Sequence, residues 1–252
     1  MKAESASICI CLITFSLTIF TWSGTAQVEE TEVQALIRRV ETQYQGRTSH
    51  AVAHMKITTE YWSREIVMEM WSRGRDTFLA RILSPKKDEG VATLKIGGEM
   101  WNYLPNIDRL IKIPSSMMGE SWMGSHLTND DLVKENQVEK LYDLTLKKEG
   151  GEAEVTGIPK SEAPVVWGKL VYRIEMKRLI PLFIDYYDEE NRLVRKITFD
   201  RVKEISGRAV PLHMVVQPVD KPKERTELTY TKLEFDIKLS DDLFSIRSLR
   251  RQ

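Results

Sequence analysis

The sequence predicts a mainly β protein of the α+β class, built on a meandering antiparallel sheet. Three observations carry this. From His50 onward apolar residues recur with period two, as in strands with one buried face. The runs are short and separated by Gly, Pro, Asn and Asp, the residues of tight turns. Helical patterns between consecutive runs are missing, which disfavours a parallel α/β arrangement.

In chain order, Ile8–Phe20 is an apolar run after Lys2. As a helix it spans about 20 Å, short of the ~30 Å hydrocarbon core. Gly24 and Ala26 follow as small residues at the −3 and −1 positions, so residues 1–26 read as a cleaved secretory signal. The alternative is an uncleaved anchor, because Glu4 weakens the basic start. No Leu-x-x-Cys arrangement closes the segment. Residues 27–252 then form one domain of 226 residues (252 minus 26), enough for a core of its own. Cys9 and Cys11 both lie in the signal, leaving the mature chain no disulfide or thiolate chemistry.

Val33, Leu36, Ile37 and Val40 have helical spacing, with Glu29, Glu30 and Glu32 placed for a first turn and Gly46 for the end. The strand-like runs are 64–71, 78–83, 91–96, 110–113, 141–147, 170–176, 182–187, 193–200, 210–216 and 227–235, with a short strand carrying Trp101 and Tyr103. Gly97-Gly98, Gly150-Gly151 and Glu190-Asn191 read as hairpin turns. Residues 150–164 are the loosest part, with a turn at Gly157-Ile158-Pro159. Alternation fails from Pro114 to Val133, where Met117, Met118, Trp122 and Met123 are interspersed with glycines and serines. Thr128 or Asn129 then caps a helix.

Acidic and basic residues balance at 37 each, so the chain has no strong electrostatic reason to seek nucleic acid or an anionic membrane surface. Of the four histidines, His50 and His54 share a face. Without a third ligand at a recognised spacing they read as surface histidines, and no metal site is expected. The sequence has no G-x-S-x-G elbow, phosphate loop or dinucleotide fingerprint. Asp130-Asp131 and Asp241-Asp242 sit where helices start, so capping explains them; no catalytic residue is assigned. What the chain over-supplies is soft apolar surface, ten methionines and six tryptophans, suited to lining a site that accepts variable shapes. Met68, Met70 and Phe78 are candidates for such a site, or for ordinary core. A flap of Met117, Met118, Trp122 and Met123 over an apolar cavity accounts for the irregular insertion.

Trp101-x-Tyr103-x-Pro105, Arg109, Ile113, Ser121-Trp122-Met123-Gly124-Ser125 and Thr128-Asn129-Asp130-Asp131-Leu132 together resemble the outer-membrane lipoprotein-sorting proteins of the LolA-like superfamily. The ending Leu239-Ser240-Asp241-Asp242-Leu243-Phe244 is similar too, and His126-Leu127 departs from the pattern. The resemblance implies a curved, incomplete β-barrel whose concave apolar face is covered by an N-terminal helix and short helices. It implies a non-enzymatic periplasmic carrier, without cofactor, for the acyl chain of a lipoprotein or lipid. An inner-membrane exporter of the RND type and an outer-membrane acceptor are the partners it suggests. Trp101 and Tyr103 then become cavity or rim residues, or sheet core. Arg109 becomes a polar rim residue that meets a head group, or an exposed strand arginine. Two rivals stand beside the carrier: a non-carrying partner of a membrane exporter, and a hydrolase of envelope lipids.

Overall fold

The computed structural model describes residues 30–134 and 137–250; the expected signal, residues 1–26, lies outside them. Helix α1, Glu32–Gln45, begins at a capping box in which Thr31 and Gln34 satisfy each other's backbone N–H groups. Of the expected glutamates Glu32 lies in its first turn, Glu30 precedes the helix and Glu29 lies outside the described residues; Gly46 ends the helix as expected. Thirteen strands follow: β1 Thr48–Thr58, β2 Ser63–Arg73, β3 Thr77–Ser84, β4 Ala92–Ile96, β5 Glu99–Leu104, β6 Arg109–Lys112, β7 Tyr142–Glu149, β8 Glu152–Pro159, β9 Lys169–Glu175, β10 Ile180–Tyr187, β11 Leu193–Ile205, β12 Arg208–Pro218 and β13 Arg225–Phe235. Short helices α2 (Asn129–Lys134), α3 (Val138–Leu141) and α4 (Ile246–Leu249) complete the described α-helices, beside four single 3-10 turns.

All thirteen strands form one antiparallel sheet in the order β6-β5-β4-β3-β2-β1-β13-β12-β11-β10-β9-β8-β7. The sheet does not close, so the fold is the incomplete barrel that the resemblance implied. Consecutive strands pair throughout two meanders, β1 to β6 and β7 to β12, and β13 joins the meanders through β1. Its ladder to β12 has only four residue pairs, His213–Val216 against Thr229–Thr226. Pro211 lies just beyond, with no N–H to extend it. The two edge strands, β6 and β7, are consecutive along the chain. The irregular segment 114–141 therefore runs between the two free edges.

The inner face carries alternate residues of each strand, since residues directly opposite one another in a ladder point the same way. Met70, Ala51 and Leu233 share that face, as do Met70, Ala80 and Thr93. On the other half Val216, Ile197, Ile184 and Tyr172 continue it.

Strand β8 corrects the loop expected at residues 150–164. Ala153 and Val155 are fully buried on the inner face, and Gly157 keeps the alternation without a side chain. A Cβ there would stand 3.2 Å from Leu144 and 3.3 Å from Tyr142. Glycine reads as a turn in the sequence, but here it admits the neighbouring strand's side chains.

Candidate ligand-binding cavity

Between the sheet and its cover lies a cavity of about 240 Å³. It exceeds the ~150 Å³ of an engineered apolar cavity that stays dry and takes up benzene. Its floor is the inner face: Met70 and Phe78 from one half of the sheet, Tyr230 from β13, and Met214, Phe199 and Tyr172 from the other half. The roof is Val40 and Glu41 of α1, Trp122, Leu127 and Leu132 of the irregular segment 114–134, which acts as a lid, Val138 of α3, and Val165 and Trp167 before β9.

Polar contacts fasten the lid to the sheet. Buried Trp122 donates its indole N–H to Thr93 Oγ1 at 3.1 Å and meets Phe78 edge-on at 6.4 Å. Thr128 is the cap of α2: its hydroxyl accepts from Asp131 N, and its own N–H donates to Asp131 Oδ2. Asp131 also receives a fork of hydrogen bonds from Arg195 of β11, at 2.6 and 2.8 Å. The Arg195 side chain is only 5% exposed, and its guanidinium packs against the rings of Tyr186 and Trp167 at 4.1 and 4.4 Å. Arg64 donates to the Met123 carbonyl at 3.2 Å and Lys95 to that of Leu132 at 2.8 Å. Arg75 pairs with Glu139 of α3 at 2.6 Å and Glu41 of α1 at 2.5 Å. His126, at the departure from the family pattern, bonds Thr226 through its backbone N–H at 3.0 Å and lies 3.3 Å from Glu224.

These contacts set the charge states. Burial pushes the Asp131 carboxyl up, but the hydrogen bonds and charge of Arg195, with the Thr128 N–H, outweigh it and hold the group below the usual carboxylate range. Asp130 is buried as well, and there desolvation wins over its partner Lys134, 2.5 Å away, so its pKa is raised. Burial, then the neighbouring Tyr186, Asp130 and Asp131, raise the Tyr142 phenol.

Of the residues singled out in the sequence, the cavity brings together Met70, Phe78 and Trp122. Met68 is fully buried in the core beneath β1–β3 and does not line it. Met117 is 44% exposed, Met118 packs with Met100, Ile113 and Val133, and Met123 packs on the β1–β3 core. Only Trp122 of the expected flap thus reaches the cavity. Trp101 and Tyr103 point to the opposite face, where they pack with Leu94, Phe244 and Leu249. Arg109 is exposed on edge strand β6 and does not line the cavity. His50, on that same outer face, stacks on Trp71 and reaches Glu69 at 2.7 Å. Among the described residues no cluster of His, Cys, Asp and Glu has the placement to hold a metal ion.

The tyrosines, Trp167 and the Arg195–Asp131 pair escaped sequence reasoning. Arg195 did leave a signal: it falls two residues before Ile197 and four before Phe199, a charge on the apolar face of a strand.

A family model described as an uncharacterized protein matches residues 74–251. No curated protein matches the chain. Among solved structures, a DUF1329 family protein from Desulfovibrio piger is 25% identical, with a TM-score of 0.78 over 86% of this chain and 97% of its own. An outer membrane lipoprotein-sorting protein domain from Vibrio parahaemolyticus is 20% identical, TM-score 0.75, covering 88% and 100%. A LolA superfamily protein from Nitrosomonas europaea is 15% identical, TM-score 0.70, covering 86% and 98%.

Proposed function

The chain belongs to the uncharacterized-protein family whose model spans residues 74–251 and has the LolA-like fold; from that premise we propose that it is a periplasmic carrier for the acyl chain of a lipoprotein or lipid. The observation that carries this reading is the lidded apolar cavity of about 240 Å³ on the concave face. Each CH₂ transferred there from water gains about 0.8 kcal/mol, so a twelve-carbon chain gains on the order of 10 kcal/mol before ordering costs. The cavity is partly open to solvent. We infer that a full chain gains room by displacing the lid, which hydrogen bonds and ion pairs fasten to the sheet.

One observation favours a second reading, a docking partner of a membrane exporter. Tyr61 and Trp62, at the tip of the β1–β2 hairpin, are 87% and 46% exposed, and large exposed aromatics at one tip suit a protein or membrane contact. Native mass spectrometry of residues 27–252 from a periplasmic extract, followed by lipid extraction, separates the two. A carrier retains acyl species that disappear in Trp122→Gln and Phe199→Asn. A clean apo mass with no uptake of added lipid or lipopeptide overturns the carrier and leaves the docking partner.

A further inference from the structure

The two edges of the sheet are built differently. β6 has four residues, and its ends Arg109 and Lys112 are exposed cations, a short and charged edge of the kind that resists pairing. β7 has eight, Tyr142–Glu149, and among the described residues only its β8 side is paired. Helix α3, which precedes β7, lies on the concave side of the sheet, where Val138 is part of the cavity roof. The two faces of β7 alternate. Asp143, Thr145 and Lys147 stand exposed on the outer face, while Leu144 and Leu146 are half-buried on the inner one and pack on the core beside Tyr142. Asp143 has no ion-pair partner among the described residues. Lys147 has only Glu149 at 3.7 Å, with both side chains in solvent.

We propose that β7 is a self-complementary edge on which a second copy of this chain docks, strand to antiparallel strand, about a two-fold axis through Thr145. Residues equally far on either side of Thr145 then meet, and residues directly opposite one another share a face. On the outer face Asp143 meets the second copy's Lys147, and Lys147 the second copy's Asp143. On the inner face Leu144 meets Leu146, again twice by symmetry. No neighbouring register matches in this way. With the axis at Leu146, Asp143 faces Glu149, a destabilising like-charge pair. With the axis at Leu144, Asp143 faces Thr145 and Lys147 faces Leu141. An axis between two residues sets outer positions against inner ones, which the pleat forbids. The chosen axis stands perpendicular to the sheet, so the concave faces of the two copies adjoin edge to edge. The inference is independent of the carrier reading.

Residues 27–252 contain no cysteine, so a single introduced thiol reports the register. Thr145→Cys sets two thiols opposite one another at a Cα separation of about 4.5–5.5 Å, which a disulfide can bridge. It is expected to cross-link into a dimer in oxidising buffer, and Lys147→Cys, which faces Asp143 instead, far less. Sedimentation velocity of the unmodified protein is expected to show a concentration-dependent monomer–dimer equilibrium, weak because a single strand contact lies at the small end of interfaces. Asp143→Lys sets lysine against lysine twice and is expected to weaken dimerisation at least about tenfold; adding Lys147→Asp to it restores the dimer. All of these side chains are exposed, so the substitutions leave the core untouched. A protein that stays monomeric and whose Thr145→Cys variant does not cross-link overturns the inference. So does a dimer that Asp143→Lys leaves unchanged, or one in which Lys147→Cys cross-links as readily as Thr145→Cys.

Discussion

Removing one partner of the Arg195–Asp131 pair tests whether it fastens the lid. In Asp131→Ala the guanidinium, 5% exposed in its side chain, loses both bonds of the fork and keeps the His126 carbonyl at 3.1 Å. Stranding a buried charge costs about 3–5 kcal/mol. Two ring contacts, at 4.1 and 4.4 Å, remain to hold the cation, each worth up to about 2 kcal/mol when desolvated, so the cost falls at the lower end, about 3 kcal/mol. For a chain of this size about 1 kcal/mol corresponds to 2–4 °C, and the expected fall in Tm is about 6–12 °C. Thermal and urea unfolding followed by circular dichroism measure it. Combining Asp131→Leu with Arg195→Met should recover most of the loss, because apolar replacement of both partners removes the stranded charge. A loss below about 1 kcal/mol in Asp131→Ala, or a double variant as unstable as the single one, refutes the pair's role.

Thr93→Val leaves the buried Trp122 N–H without its acceptor and should cost about 1–3 kcal/mol, with a red-shifted tryptophan emission as the lid loosens. Gly168→Ala places a Cβ 2.4 Å from the Asp188 carbonyl oxygen; a loss of about 1–3 kcal/mol is expected, and heteronuclear NMR should find the shifts concentrated at residues 163–168. The two aspartates of α2 act oppositely with pH. The Asp131 pKa lies below its unfolded value of about 3.9, so its stabilisation is complete above that value and is lost as pH falls through the folded pKa. The Asp130 pKa lies above it, so its contribution fades as pH rises from about 3.9 through the folded value. Tm measured against pH should show that fading in the wild type and not in Asp130→Asn.

Antiparallel meander, helix α1 and its Gly46 stop were legible because they rest on period, turn residues and capping, all local properties. Residues 152–159 were not, because Gly157 and Pro159 read as turn signals and only the side chains of Leu144 and Tyr142 reveal why glycine stands there. The flap was half legible. Its irregularity pointed to a cover over a cavity, yet methionine content does not say which way a loop side chain turns; Met117 faces solvent and Met118 the sheet core. Trp101 and Tyr103 were correctly placed on one face of a strand. Which face is inner depends on where the C-terminal residues Phe244 and Leu249 pack, a contact across more than half the chain. Arg195 was visible as an anomaly in its strand, but its partner Asp131 was explained away by capping, which it does serve by accepting the Thr128 N–H.

The four-pair ladder between β12 and β13 makes the sheet two stiff plates on one compliant seam. Ten pairs hold β13 to β1, so β13 travels with the first plate. Beyond His213 the strands splay, and Val210, Pro211, Tyr230 and Leu233 from the two sides face the cavity there. Flexing about this seam widens the chamber while sacrificing few backbone hydrogen bonds, and it draws apart the free edges that the lid spans. Amide exchange should accordingly be faster at residues 226–229 than along the β1–β2 ladder. Chamber volume then becomes an adjustable quantity, set by the angle between two plates.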